Sequence, residues 1–406
     1  MKWLWFAVKN VLRNRRRAAI TLLIAAVGTA AVLVGGGFAL YTYESLQEMS
    51  SRDSGHIVVA QHDYFEREED TPMQLGLADY AALKTRIERD RRVRTALPRV
   101  QFSGLISNGD KSTIFFGTGV DPKGEFAVKG PFLKILSGSI LSENPQTAAD
   151  PEVLLGKDLA RQLKAEVGSS LTLLSTTTDN GLNAQDVRVR GIFSVGVPDV
   201  DKRLVLTTLA TAQHLLVTDK VSTLSVYLWD TELTATLHGE LTRELSGFDL
   251  QPWWEQAFYY FAVRSLYNRI FGLLGVVIIL MVAFAVWNTL AMTVVERTRE
   301  IGTLRAMGTL PAQVVRNFLL EAAVIGVSGS VLGMLLAGGT TLFLAFANFQ
   351  MPPPPGQSEG YPLSINAAWE LYAATALAII ALCIAAAWFA SHRAARKPIV
   401  EALNHV

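Results

Sequence analysis

The segment Glu296-Arg-Thr-Arg-Glu-Ile-Gly-Thr-Leu-Arg-Ala-Met-Gly308 mixes charges and apolar side chains in a pattern suited to gripping another protein. A charged first turn is followed by Ile301, Leu304 and Met307 at helical spacing, and Gly308 closes the run, so a short helix is predicted here. An exposed helix of this kind fits a groove on a partner: the apolar anchors insert and the rim charges set the register. Thr309 and Pro311 suit the start of a second helix, which gives a compact helix-turn-helix.

Other chemistry finds less support. The six histidines, at 56, 62, 214, 238, 392 and 405, include no H-E-x-x-H and no helical pair with a carboxylate at zinc spacing, so no metal site is expected. Cys383 is the single cysteine and lies in an apolar run, which excludes an internal disulfide or a cysteine redox pair. Asp63, Glu66, Glu68, Glu69 and Asp70 lack the glycine and spacing of a calcium loop and read as a solvated loop. No G-x-S-x-G or S-x-x-K setting for a nucleophile is present. Nor is there a G-x-x-x-x-G-K-[ST] loop; Gly156-Lys157 and Gly117-Thr118-Gly119 read as turns. A non-catalytic chain that binds no cofactor of its own is the expectation. The aromatic group Trp253, Trp254, Phe258, Tyr259, Tyr260 and Phe261 has two readings, a membrane-interface belt or a lateral gate receiving an acylated or amphipathic cargo.

The scaffold for these residues follows from composition. With 50% hydrophobic and 18% charged residues, the chain is too apolar for an ordinary soluble protein and too charged to lie wholly in lipid. Its net charge of +1 hides arginine clusters beside apolar runs, a distribution that disfavours nucleic acid as a partner. A bilayer core needs about 20 apolar residues in a helix, and 18–41, 270–295, 318–346 and 371–390 supply four such runs. Only the third holds a charge, Glu321, placed to reach the interface or to pair with arginine.

Arg13, Arg15, Arg16 and Arg17 precede the first run, Arg297, Arg299 and Arg305 separate the second and third, and Arg393, Arg396 and Lys397 follow the fourth. All three flanks are therefore predicted to be cytoplasmic, with both termini inside. Gly329 and Gly333 form a GxxxG pair that would let helices approach closely. The fold class expected is a membrane α-helical protein with four transmembrane helices and an α+β extracytoplasmic domain inserted between helices 1 and 2.

In residue numbers, 1–17 is expected to be a cytoplasmic amphipathic helix, 18–41 helix 1, 42–265 the extracytoplasmic domain and 266–295 helix 2. The remainder divides into the cytoplasmic segment 296–311, helix 3 at 312–346, an extracytoplasmic proline-rich loop at 347–370, helix 4 at 371–390 and a cytoplasmic tail at 391–406. Within the domain, strands are predicted over 56–60, 100–107, 113–120, 170–175, 187–195 and 223–229, and helices over 77–95, 152–166 and 232–245.

The segment 296–308 closely resembles the coupling segment of the FtsX/MacB family of ABC-transporter permeases, whose pattern runs roughly E-R-x-R-E-I-G-x-x-R-A-x-G. Phe6-Ala-Val-Lys-Asn-Val-Leu-Arg-Asn-Arg-Arg-Arg17 is similar to the family's N-terminal segment, and Val153-Leu-Leu-Gly-Lys-Asp-Leu-Ala160 to a stretch of its external domain. The order of one span, a large external domain and three spans also matches. The resemblance implies a bacterial inner-membrane permease that dimerises with a copy or homologue and is driven by two separate cytoplasmic ATPase subunits, which bind the ATP and magnesium. By position, Glu296, Arg297, Arg299, Glu300, Ile301, Gly302, Leu304, Arg305 and Gly308 would contact the ATPase or shape the coupling turn. ATP-driven closure below would then move a stalk and domain above.

Length and layout resemble the lipoprotein-releasing, LolC/LolE-like branch, which implies a hydrophobic or lipid-anchored cargo moved by mechanotransmission. Two alternatives stand beside it. One is efflux of small molecules or peptides with envelope partners; the other, of a different class, is a transmembrane signal transmitter that activates a cell-wall hydrolase.

Overall fold

Apolar runs in lipid must satisfy their backbone amides internally, and the four predicted runs do so as helices. The computed structural model describes residues 15–67, 73–129, 133–142, 151–347, 349–351 and 361–396, with positions 9, 11 and 398. The predicted amphipathic helix at 1–17, the proline run and the tail fall largely outside the described residues.

In chain order the elements are α1 (Arg15–Ser54), β1 (Ile57–Gln61), α2 (Tyr80–Ile87), β2 (Val93–Ser107), β3 (Ser112–Val120), α3 (Pro122–Lys129), β4 (Lys134–Gly138), β5 (Glu152–Gly156) and α4 (Lys157–Leu163). There follow β6 (Ser170–Thr176), β7 (Leu182–Ser194), α5 (Pro198–Asp201), β8 (Leu204–Thr208), α6 (Leu209–Leu216), β9 (Thr223–Leu228), α7 (Thr234–Glu244), β10 (Phe248–Pro252) and α8 (Trp253–Gln256). The last four helices are α9 (Phe258–Glu296), α10 (Thr298–Ala306), α11 (Pro311–Ala347) and α12 (Trp369–Ala395).

Two compact units result. The helical unit comprises the described parts of 1–44, 263–351 and 362–406, and the inserted domain those of 45–262 and 352–361. Stretches of α1, α9, α11 and α12 are long and apolar enough to cross a membrane. Ala25, Val282, Val286, Leu290, Ala322, Ile379, Cys383 and Ala387 pack together in the helical unit. The GxxxG pair lies against α1: a Cβ on Gly329 would sit 2.6 Å from Ala25 Cβ, and one on Gly333 2.4 Å from Thr29 Cβ. Close packing, and not mere tolerance of glycine, explains the pair.

The inserted domain is α+β. Its strands run in the order β10-β1-β9-β2-β3-β8-β5-β7-β4, with β6 pairing both β2 and β7. The pairings β2·β3, β3·β8, β8·β5, β5·β7, β7·β6 and β6·β2 therefore close a six-stranded ring. Val100, Phe102, Phe115, Leu173 and Val187 from β2, β3, β6 and β7 form one core with Val153 of β5 and Val205 of β8, strands buried on both faces. Helix α6 lies against five of the ring strands and buries Ala212, Leu215 and Leu216. The remaining strands β10, β1 and β9 extend β2 as an antiparallel sheet.

Several element boundaries differ from expectation. Helix α1 does not stop near residue 41: the polar stretch after it keeps helical bonding, with a Glu48–Arg52 pair at 2.7 Å, until Gly55 takes a φ of +102°. The helix predicted over 77–95 is confined to α2, because Val93 already belongs to β2. That predicted over 152–166 begins as strand β5, whose continuous Val-Leu-Leu run is flanked by β7 and β8; a short apolar run has no periodicity to separate strand from helix. Strands β4, β8 and β10 were not predicted.

His56 opens the sheet at β1 and is buried. Its Nδ1 accepts the Leu228 N–H at 3.3 Å, which leaves Nε2 to carry the proton and donate to Thr231 Oγ1 at 3.0 Å. Burial pushes the imidazole down to about 4, although Glu48 and Asp230 pull the other way. An unfolded histidine takes up its proton near the ordinary 6.5, so between those values the unfolded chain binds more protons. The contribution is complete above pH 6.5 and declines as pH falls toward 4, by up to about 3 kcal/mol.

Two outcomes are expected. Exchange protection of β1 and β9 peptides in the full chain, corrected for intrinsic rates, should weaken from pH 7 to pH 4.5, and His56→Gln should flatten that dependence. Gly333→Leu should lower the thermal stability of the helical unit by about 1–3 kcal/mol, the usual cost of overpacking, whereas leucine at Gly339, where a Cβ meets nothing within 4 Å, should not.

Candidate functional site

Between the second and third long helices the chain makes the compact helix-turn-helix predicted for it. Helix α10 begins at Thr298, whose hydroxyl donates to the Val294 carbonyl at 3.4 Å. It ends at Ala306; two residues on, Gly308 adopts a φ of +94°, and the Thr309 N–H returns to the Leu304 carbonyl at 3.1 Å. The positive φ is why a glycine stands there. Pro311 then opens α11 in the first helical turn, where its missing N–H costs nothing.

Ile301 and Arg297 both tie α10 to the helices around it. Ile301 is 2% exposed and packs with Val294, Val314, Phe318, Ala394 and Ala395 from the helices around it. Arg297 donates from Nη1 to Glu321 Oε2 at 2.7 Å and from Nε to Glu300 Oε2 at 3.0 Å, with its guanidinium 4.9 Å from the Phe318 ring centre. The lone carboxylate of the third apolar run thus has the arginine partner anticipated for it. A cleft lined by Thr21, Thr293, Arg297, Phe318 and Glu321 opens beside this pair.

The apolar ridge is therefore not the one expected. Ile301 and Gly302 are buried, which suits residues that shape the turn more than residues on its surface; Ile301 faces inward because α11 and α12 pack on that side. The exposed ridge is Leu304, Met307 and Leu310, at 40%, 70% and 62%, with Glu296, Arg299 and Glu300 also exposed and Arg305 half-buried. Leu310 was missed because it lies beyond the closing glycine, where helical periodicity no longer applies.

Of the aromatic group, Trp253 and Trp254 meet edge-on at 5.6 Å, Trp253 and Tyr260 at 4.7 Å, and Tyr260 and Phe261 at 5.3 Å. Trp253 and Tyr260 are buried with Ala257 and Leu46, whereas Phe261 is exposed. The side chains of Phe258 and Tyr259 lie outside the described residues. The fold also gathers His62, Asp63 and Asp249, whose ligand atoms lie within 4.8 Å of one another. His62 Nδ1 is 2.9 Å from Asp249 Oδ1, and the Asp63 N–H donates to Asp249 Oδ2 at 2.7 Å, so these groups largely satisfy each other at the surface. Only the pairing of β1 with β10 brings them together, and no sequence spacing could announce it.

Comparison with known proteins agrees with this layout. Residues 18–244 match the family described as MacB-like periplasmic core domain, and residues 272–399 match the FtsX-like permease C-terminal. The chain belongs to the FtsX/MacB-like permease family. Among its relatives is the lipoprotein-releasing system transmembrane protein LolC of Xylella fastidiosa, 28% identical over 62% of this chain and 61% of the relative. Another is LolE of Haemophilus influenzae, 25% identical over 64% of this chain and 65% of the relative. The macrolide export ATP-binding/permease protein MacB of Nitrobacter winogradskyi is 26% identical over 49% of this chain and 32% of that protein. This permease-family chain thus spans about three fifths of the length of the first curated relatives it matches. With four long apolar helices and such relatives, it is a multi-pass inner-membrane protein.

The two anchors and the ridge should respond differently to charge. Ile301→Asp is expected to cost about 4 kcal/mol or more, as a buried unpaired charge does, while Leu304→Asp stays within about 0.5 kcal/mol. Thermal unfolding of the two variants in detergent measures the difference.

Proposed function

We propose that the chain is the non-catalytic permease subunit of an ABC transporter, with a separate ATPase seated on the ridge Leu304, Met307 and Leu310. The observation that carries this reading is the pairing of an exposed apolar ridge with a helix whose opposite side is pinned by Ile301 and Arg297. A pinned helix moves with the helices that hold it. Force applied to its ridge would therefore be delivered to α9, α11 and α12 and not dissipated in a loop.

Arg299, Glu300 and Arg305 would set the register of docking, since rim charges govern specificity more than affinity. Two ATPase subunits, each binding ATP and magnesium, and a second permease copy or homologue would complete the complex. The arginine distribution supports an orientation with α10 and both termini in the cytoplasm, which places the inserted domain outside.

The cargo we favour is hydrophobic or lipid-anchored, a lipoprotein-like protein moved outside the membrane by mechanotransmission. Relatives named for lipoprotein release support it. Efflux of small molecules is the second reading, supported by the match to a protein named for macrolide export. Of the aromatic group, half-buried Trp254 and exposed Phe261 are the described side chains left to meet the membrane interface as a belt or an acyl chain as a lateral gate.

Leu304→Asp combined with Met307→Asp should lower co-purification of the ATPase at least roughly tenfold, equivalent to about 1.4 kcal/mol, with the permease still folded. Wild-type association would remove the docking assignment. Mass spectrometry of the complex isolated in nanodiscs distinguishes the cargoes: acylated proteins favour extraction, a hydrolase favours signalling.

A further inference from the structure

The final carbonyls of an α-helix have no partner within the helix. In α1 these belong to Arg52, Asp53 and Ser54, and side chains from the sheet meet each one. Tyr227 Oη donates to the Arg52 carbonyl at 3.2 Å, Arg99 Nη1 to the Asp53 carbonyl at 2.7 Å, and Ser225 Oγ to the Ser54 carbonyl at 2.7 Å. Arg99 is on β2, and Ser225 and Tyr227 are on β9.

The donors are themselves held. Arg99 Nη2 donates to Glu125 Oε1 at 2.7 Å and to Tyr227 Oη at 2.6 Å, and Lys129 Nζ lies 3.1 Å from the same Glu125 oxygen and 3.3 Å from Asp53 Oδ1. Arg99, Glu125 and Tyr227 are 6%, 1% and 1% exposed. Burial alone would raise the Glu125 carboxyl, but the Arg99 and Lys129 charges outweigh it and hold the group below the ordinary carboxylate range. Gly55 follows directly, so close to the sheet that a Cβ would sit 2.9 Å from Ser225 Cβ, and the His56 N–H already pairs with the Val226 carbonyl at 2.8 Å. No slack residue separates helix from ladder.

A buried ion pair is a poor source of stability and a good source of fixed geometry. Here it fixes the angle between a helix end and a sheet. We propose that Arg99, positioned by Glu125 and Tyr227, welds the last turn of α1 to the sheet, so that this helix end and the sheet move as one body within the inserted domain. Arg99 is a positioning residue for force transmission. Its use in transport rests on the permease reading, but the rigidity it confers does not.

The test uses the full chain in nanodiscs, without nucleotide or partner, in a Cys383→Ala background. Spin labels at Gln47→Cys and Asp110→Cys report helix against sheet, and labels at Asp110→Cys and Arg243→Cys report the sheet unit alone. Arg99→Met with Glu125→Met, which removes both charges together, is expected to broaden the helix-to-sheet distance distribution to roughly twice its wild-type width and leave the control pair unchanged, as local loosening would. Tyr227→Phe, a milder change, should broaden it less.

An unchanged helix-to-sheet width in both variants overturns the weld. Equal broadening of both label pairs overturns it too, since that is general loosening of the domain; if the double variant does not fold, the Tyr227→Phe widths decide. Loss of ATPase binding in the ridge variants would leave these widths unaffected, so the two readings fail separately.

Discussion

A folded insert can sit between two helices only if its ends return to one place. The ladder from Ile57↔Pro252 to Gln61↔Phe248 meets that condition, because β1 follows α1 directly and β10 leads through α8 into α9. Leu46, packed with Trp253, Ala257 and Tyr260, extends the closure from the ladder to the helix ends inside the domain. With exit and return joined, the six-stranded ring can hold its own core and ask nothing of the helices for its fold.

Sequence made the helices legible for a reason that lipid enforces: an unbroken apolar run has one way to satisfy its amides. The order of one helix, insert and three helices was readable on the same ground, and the match over residues 18–244 agrees with it. Strands were readable where one face is wet, as in β7, whose exposed and buried positions alternate from Asp186 to Phe193. They were not readable in β5 and β8, which are buried on both faces and carry no alternation. Helix α1 was cut short in the reading because its last turns are polar, and polarity marks the end of a lipid-facing run, not the end of a helix.

The candidate site was half legible. The helix, its glycine stop and the proline start are local signals, and each stands where expected. The direction in which Ile301 points is not local: Leu304 and Met307 share its helical stripe, yet α11 and α12 take one and leave the others. Arg99 carried no signal at all, being one basic residue in a strand beside several exposed ones. Burial of a guanidinium depends on Glu125 and Tyr227 arriving from α3 and β9, and spacing along the chain says nothing of that meeting.

Arg297 with Glu321 and Arg99 with Glu125 solve the same problem in separate units. In each, a planar donor holds a helix and a neighbouring element in one register, at a desolvation cost that an apolar pair would avoid. That choice makes sense where angle matters more than stability. The glycines of α1 point the same way. A Cβ on Gly36 would lie 3.0 Å from Leu371 and one on Gly37 2.6 Å from the Asn366 carbonyl, while the Asn366 N–H binds the Gly37 carbonyl at 3.1 Å. Asn366 also bonds Glu44 through its side chain. These glycines serve close approach and not bending. Close approach at Gly36 and Gly37 in the helical unit, and side-chain caps on Arg52, Asp53 and Ser54 in the inserted domain, thus hold α1 separately within each unit.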